Sequence, residues 1–91
     1  MSIEETTQIR IKRIRYRSWH RGCKETDIIL GNFCDQFIES LTLDELTRFE
    51  ALLDEDDAEI WSWLTHKTKS PKAEYEPLLE RLRHFRDYAP L

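Results

Sequence analysis

The sequence predicts an all-α protein, a small single-domain five-helix bundle covering residues 1–91. Three observations carry this reading. Apolar residues recur at three- and four-residue steps along several segments, the period of a helix with one buried face. The chain has only two Gly and three Pro, few turn-formers for a protein of many short strands. Charged residues make up 35%, which suits helices with solvated outer faces. No segment reads as a good strand. A chain of this length buries roughly 60–65% of its unfolded surface, enough for one modest core.

The first helix is expected from about Thr7 to His20. Its apolar stripe is thin: Ile11 and Ile14, with Tyr16 or Trp19 beside them. Arg10, Lys12, Arg13, Arg15, Arg17 and Arg21 fill most of the remaining circumference, which predicts a narrow buried face and a broad exposed one. Gly22 ends the helix, since glycine closes a C-terminus in the left-handed conformation without a Cβ penalty. His20 and Arg21 place cations in the last turn, where the helix dipole favours them.

The second helix runs from about Lys24 to Glu39. Leu30, Phe33, Cys34, Phe37 and Leu41 form its stripe, widened by Ile29 and Ile38. Glu25 and Asp27 lie in the first turn, on the favourable side of the dipole. Gly31 costs about 1 kcal/mol against Ala and suggests a close approach by another helix. Thr42-x-x-Glu45 is a capping box that opens the third helix, with Leu41 and Leu46 placed for a hydrophobic staple. Leu46, Phe49, Leu52 and Leu53 face inward. Asp56-x-x-Glu59 reads as the cap of a short fourth helix carrying Ile60, Trp61, Trp63 and Leu64, and the acids at 54–57 as a solvated turn. Trp61 and Trp63 are two apart and cannot share a helix face, so one is buried and the other partly at the surface. Thr68 to Pro71 is a linker. Pro77 sits in the first turn of the last helix, where a missing N–H costs nothing. Leu78, Leu79, Leu82 and Phe85 give that helix its buried face. The ends, about 1–6 and 88–91, are expected to fray.

Charge is unevenly divided. Residues 1–24 carry +5, residues 25–61 carry −11 and residues 62–91 carry +2, for a total of −4. A basic arm beside an acidic body either binds an acidic partner or neutralises itself across the fold. No apolar run reaches the ~20 residues of a membrane span, so no membrane insertion is expected. The start lacks the pattern of a secretory signal and carries two acids, which makes the cytoplasm the expected compartment. Cys23 and Cys34 are expected to be reduced thiols. No C-x-x-C or H-x-x-x-H spacing points to a metal. With two glycines, no phosphate-cradling loop or dinucleotide fingerprint exists.

Two functional readings follow from the residues themselves. Arg10, Lys12, Arg13, Arg15, Arg17, Arg21 and Lys24, interleaved with Tyr16 and Trp19, are the types that hold phosphates and stack on bases, so a small nucleic-acid-binding protein using the basic first helix is the alternative. The acidic body and a pI of 5.3 oppose it. Cys23 beside Arg21, Lys24 and His20 suggests an activated thiol, although no third group orients the pair. The densest corner is Arg17-Ser18-Trp19-His20-Arg21-Gly22-Cys23-Lys24-Glu25. It carries more polar and aromatic groups than a helix break requires and reads as a protein-binding surface.

The run from Arg13 to Asp27, with Arg21-Gly22-x-x-Glu25 at its centre, resembles the signature of the succinate dehydrogenase assembly factors. These are small flavinylation factors with an Arg-Gly-x-x-Glu motif. A second stretch, Asp56-Asp57-Ala58-Glu59-Ile60-Trp61-Ser62-Trp63-Leu64, is similar to the family's acidic turn followed by Trp-Leu. The likeness covers about residues 10–71. It implies a five-helix bundle that assists covalent FAD attachment to the flavoprotein subunit of succinate dehydrogenase, with fumarate reductase open as a second client. It implies no catalytic residue and no tightly bound cofactor, because the bond would form within the flavoprotein. Carried over, the partner-binding residues are Arg21, Gly22 and Glu25, flanked by Tyr16, Arg17, Trp19, His20 and Asp27. The expected protein is a monomeric bacterial cytoplasmic factor.

Overall fold

The computed structural model describes residues 6–88. In chain order these form α1 (Thr7–Trp19), α2 (Lys24–Phe37), a 3-10 turn (Ile38–Ser40), α3 (Leu43–Leu53), α4 (Asp57–Leu64), a second 3-10 turn (Ala73–Tyr75) and α5 (Glu76–Tyr88). The all-α expectation holds, with five α-helices in one domain and no strand among the described residues. The predicted fraying concerns mostly residues 1–5 and 89–91, outside the described ones. Thr6, placed in that tail, instead caps α1: its hydroxyl accepts from the Ile9 N–H at 3.2 Å.

Local signals set most boundaries. Thr42 and Glu45 form the reciprocal capping box, at 3.1 and 2.9 Å, so α3 starts where the sequence places it. Asp56 caps α4 by accepting from Ala58 at 3.2 Å. Gly22 adopts φ +100°, the conformation expected of the residue between α1 and α2. The second helix stops two residues early and tightens into the turn at 38–40, which buries Ile38 and carries Leu41 into the core.

The core joins the inward faces of all five helices. Phe33 lies at its centre, with ring centroids 6.0 Å from Phe49, 5.8 Å from Phe85 and 5.1 Å from Phe37. Trp63 is buried and Trp61 half-buried, as their spacing requires. One expectation changes, and one further buried residue appears. Tyr16 is not in the α1 stripe: it is 66% exposed, and the small Ser18 is the third buried residue beside Ile11 and Ile14. Tyr75, which lies between the expected linker and the last helix and carries no expectation of its own, is buried; its hydroxyl donates to the Glu55 carboxylate at 2.8 Å. Burial and then Glu55 push that phenol up to about 12.

Helix directions follow from which residues meet. Trp19 meets Gly31, Ser18 meets Cys34 and Arg15 meets Asp35, so α2 numbers rise as α1 numbers fall and the two helices form an antiparallel hairpin. Arg10 meets Thr47 and Glu50, Arg13 meets Glu50, and Arg17 meets Asp54. Both members of each pair advance together, so α1 and α3 lie parallel.

Candidate functional site

The candidate site is the corner where α1 turns into α2, and its charges are built from two directions. Along α1, Arg10, Arg13 and Arg17 sit at three- and four-residue steps and so share a face. That face looks at α3. Arg10 reaches Glu50 at 2.5 Å and Thr47 at 2.7 Å. Arg13 reaches the other oxygen of Glu50 at 2.6 Å, and Arg17 reaches Asp54 at 2.6 Å. Burial pushes the Glu50 carboxyl up, but the hydrogen bonds of Arg13 and Arg10 outweigh it and hold the group below its ordinary value. The basic arm therefore neutralises itself on the acidic body. The broad exposed face expected of α1 is in large part a row of ion pairs.

Arg21 continues the row and is more deeply set, at 11% side-chain exposure. Its Nε donates to the carboxylate of Asp57, the first residue of α4. Its two terminal nitrogens donate to the carbonyls of Leu53 and Glu55. Leu53 ends α3, so these include a carbonyl that the helix leaves without an internal partner. The Arg21 backbone N–H donates to Asp27 at 3.0 Å. Asp57, expected in a solvated acidic turn, is instead half-buried as the partner of Arg21.

On the α2 side, Trp19 lies on Gly31. A Cβ added at Gly31 would stand 2.3 Å from the indole carbons Cδ2 and Cε2. The Trp19 indole N–H points to Asp35 at 3.4 Å, and Arg15 pairs with the same carboxylate at 3.2 Å. The helix approach that Gly31 suggested is thus made by one side chain of α1. At the floor of the hairpin, Cys34 sits 3.1 Å from the Ser18 hydroxyl, which also bonds Ile14. Burial raises this thiol to about 11, partly offset by Ser18.

Glu25 faces outward, together with Gly22, Tyr16 and His20. Its carboxyl is held below the usual range, first by its own backbone N–H, then by the Cys23 thiol and by Lys24. An ionised carboxylate thus stands at the first turn of α2. Tyr16 and His20, one turn apart, stack with ring centroids at 4.3 Å. That stack turns His20 toward Tyr16, while the Cys23 thiol meets Glu25 at 3.4 Å. The thiol and imidazole are not arranged as nucleophile and base. Nor do Arg21 and Glu25 form the ion pair with each other that their spacing allows: Arg21 turns inward and Glu25 outward. The eight predicted site residues therefore divide. Tyr16, His20, Gly22 and Glu25 are exposed, and Arg17, Trp19, Arg21 and Asp27 are partly buried and bonded within the chain. Among the described residues, no group of His, Cys, Asp or Glu is placed to hold a metal, and no helix is long and apolar enough to cross a membrane.

Similarity to known proteins extends over nearly the whole fold. A family described as flavinator of succinate dehydrogenase matches residues 12–86. The FAD assembly factor SdhE of Acetobacter pasteurianus is 34% identical over 79 residues, 87% of this chain and 72% of that protein. The mitochondrial succinate dehydrogenase assembly factor 2 of Candida glabrata is 35% identical over 88 residues, covering 96% of this chain. That of Lodderomyces elongisporus is 36% identical over 61 residues, covering 67% of this chain. The chain spans 58% and 37% of these two mitochondrial relatives. The family match continues past residue 71, where the recognisable motifs end, and takes in most of α5, whose own signal is only its apolar stripe. Matched from α1 into α5, with the Arg-Gly-x-x-Glu corner intact, the chain belongs to the family of flavinators of succinate dehydrogenase.

Proposed function

We propose that this protein binds the flavoprotein subunit of succinate dehydrogenase through the α1–α2 corner and promotes covalent attachment of FAD there. The observation that carries this reading is the outward, ionised Glu25 on that corner. An exposed carboxylate in the first turn of α2, on a corner that also carries the exposed Tyr16–His20 stack and Gly22, suits docking against a partner's cationic or N–H-bearing surface. On this reading the chemistry of attachment belongs to the flavoprotein, and the factor itself needs no nucleophile or base. The factor acts by having higher affinity for the attachment-competent conformation of its client than for other conformations.

The ion pairs of α1 bear on the nucleic-acid alternative. Phosphate binding would have to compete with Glu50, Asp54 and Asp57 for the arginines that such binding uses. Mixing the purified protein with the flavin-free flavoprotein subunit is expected to give a 1:1 complex on size-exclusion chromatography. Glu25→Ala weakens that complex while the circular dichroism of the free variant stays that of wild type. A Glu25→Ala variant that binds as tightly as wild type removes Glu25 from the interface.

A further inference from the structure

The two stretches that most distinguish this sequence, the Arg-Gly-x-x-Glu segment and the acidic turn before Trp-Leu, meet where Arg21 pairs with Asp57. The manner of that contact separates Arg21 from its motif partner Glu25. Glu25 is exposed. Arg21 is almost enclosed, with all three guanidinium nitrogens donating within its own chain, to Asp57, Leu53 and Glu55. Its backbone N–H is taken by Asp27. To touch a partner, the guanidinium would have to abandon a carboxylate and two carbonyls, at least one of which has no other donor from its helix.

We infer that Arg21 is a positioning residue rather than a partner contact, and that Asp57 is its counterpart in the same role. This rests on the proposed function and assigns the division of labour within its site. The mechanical path is short. Arg21 ties the end of α1 to the α3–α4 turn. Gly22 then reverses the chain at φ +100°, Cys23 opens α2, and Glu25 stands in the first turn. Asp27 closes the loop by accepting the Arg21 N–H, so the angle of the first turn of α2 is referred directly to the anchored residue. Releasing the anchor lets the corner rotate and moves the Glu25 carboxylate relative to the Tyr16–His20 stack. Arg21 and Glu25 therefore act on one partner without touching each other.

The test is a double-mutant cycle on affinity for the flavin-free flavoprotein subunit, with Arg21→Gln, Asp57→Asn and the double variant. A direct contact by Arg21 predicts that Asp57→Asn, which frees the guanidinium, binds as well as wild type or better. Positioning predicts that Asp57→Asn and Arg21→Gln each weaken binding about tenfold and that the double variant is no weaker than the weaker single one. Asp57→Glu, which keeps the carboxylate, restores most of the affinity. The Gly22 amide resonance reports the corner independently. It shifts in both single variants while helicity is retained, and returns toward the wild-type position in Asp57→Glu. Wild-type affinity for Asp57→Asn beside a weakened Arg21→Gln overturns the inference, as do losses that multiply in the double variant or an unshifted Gly22 amide. A wild-type protein that does not bind the subunit removes the proposed function and this inference with it. Tight wild-type binding with an unaffected Asp57→Asn removes this inference alone.

Discussion

Gly31→Ala is expected to destabilise this protein even though alanine is the better helix former. Gly31 lies within α2, so the substitution brings about 1 kcal/mol of helix propensity. The new Cβ, however, falls 2.3 Å from two carbons of the Trp19 ring and 2.7 Å from a third. Carbon atoms rest at roughly 3.5–4.0 Å, so the ring must retreat by about 1.2 Å or more. It is not free to do so: its N–H points to Asp35, which also holds Arg15. Overpacking of this kind costs about 1–3 kcal/mol, and three ring atoms of a rigid side chain place it toward the upper end. The net loss is about 1–2 kcal/mol. At ~4–8 °C per kcal/mol for a domain of this size, Tm falls by roughly 5–15 °C. Thermal and urea unfolding followed by circular dichroism read this directly. The decisive control is the same substitution in a Trp19→Ala background, where the obstacle is gone and Gly31→Ala becomes stabilising by about 0.5–1 kcal/mol. Stabilisation by Gly31→Ala in the wild-type background, or the same loss in both backgrounds, refutes the reasoning.

The remaining predictions use titration. The buried Cys34 thiol, raised to about 11, stays unreacted in the folded protein. A thiol reagent at pH 8 therefore labels Cys23 alone until denaturant exposes the second cysteine, and labelling of both in the native state contradicts that placement. Glu50 titrates below its unfolded value of ~4.3, so the unfolded state binds the proton more readily. Its contribution to stability is present above ~4.3 and is lost as pH falls through the folded value. Glu50→Gln is thus less stable than wild type at pH 7, with the difference closing on acidification. A difference that stays constant down to pH 3 contradicts the pairing with Arg10 and Arg13.

The sequence made legible what depends on neighbours along the chain. The Thr42–Glu45 box, the Gly22 break, the stripe of α2 and the opposed faces of Trp61 and Trp63 involve residues within one or two turns, where spacing determines geometry. What depends on distant elements was not legible. The arginines of α1 showed a basic face, but nothing local says that α3 lies parallel to it and offers Glu50 and Asp54. Asp57 looked like one acid among several until α1 and α4 met at Arg21. Tyr75 lay in a segment without helical period, because a 3-10 turn presents a single inward side chain and leaves no stripe. Ser18 could have been found, since it continues the 11–14–18 spacing of the buried face. Its polarity hid it, and Tyr16 took its place in the reading. The inward course of Arg21 goes with its pairing to Asp57, a contact 36 residues away in sequence.

The central claim is tested most directly by the amount of covalent flavin on the flavoprotein subunit. The subunit would be co-expressed with no factor, with this protein and with its Glu25→Ala variant, and read by in-gel flavin fluorescence after denaturation. The account predicts a clear rise with the wild-type protein and a return to the factor-free level with Glu25→Ala at equal expression. Equal fluorescence with and without the wild-type protein would contradict it.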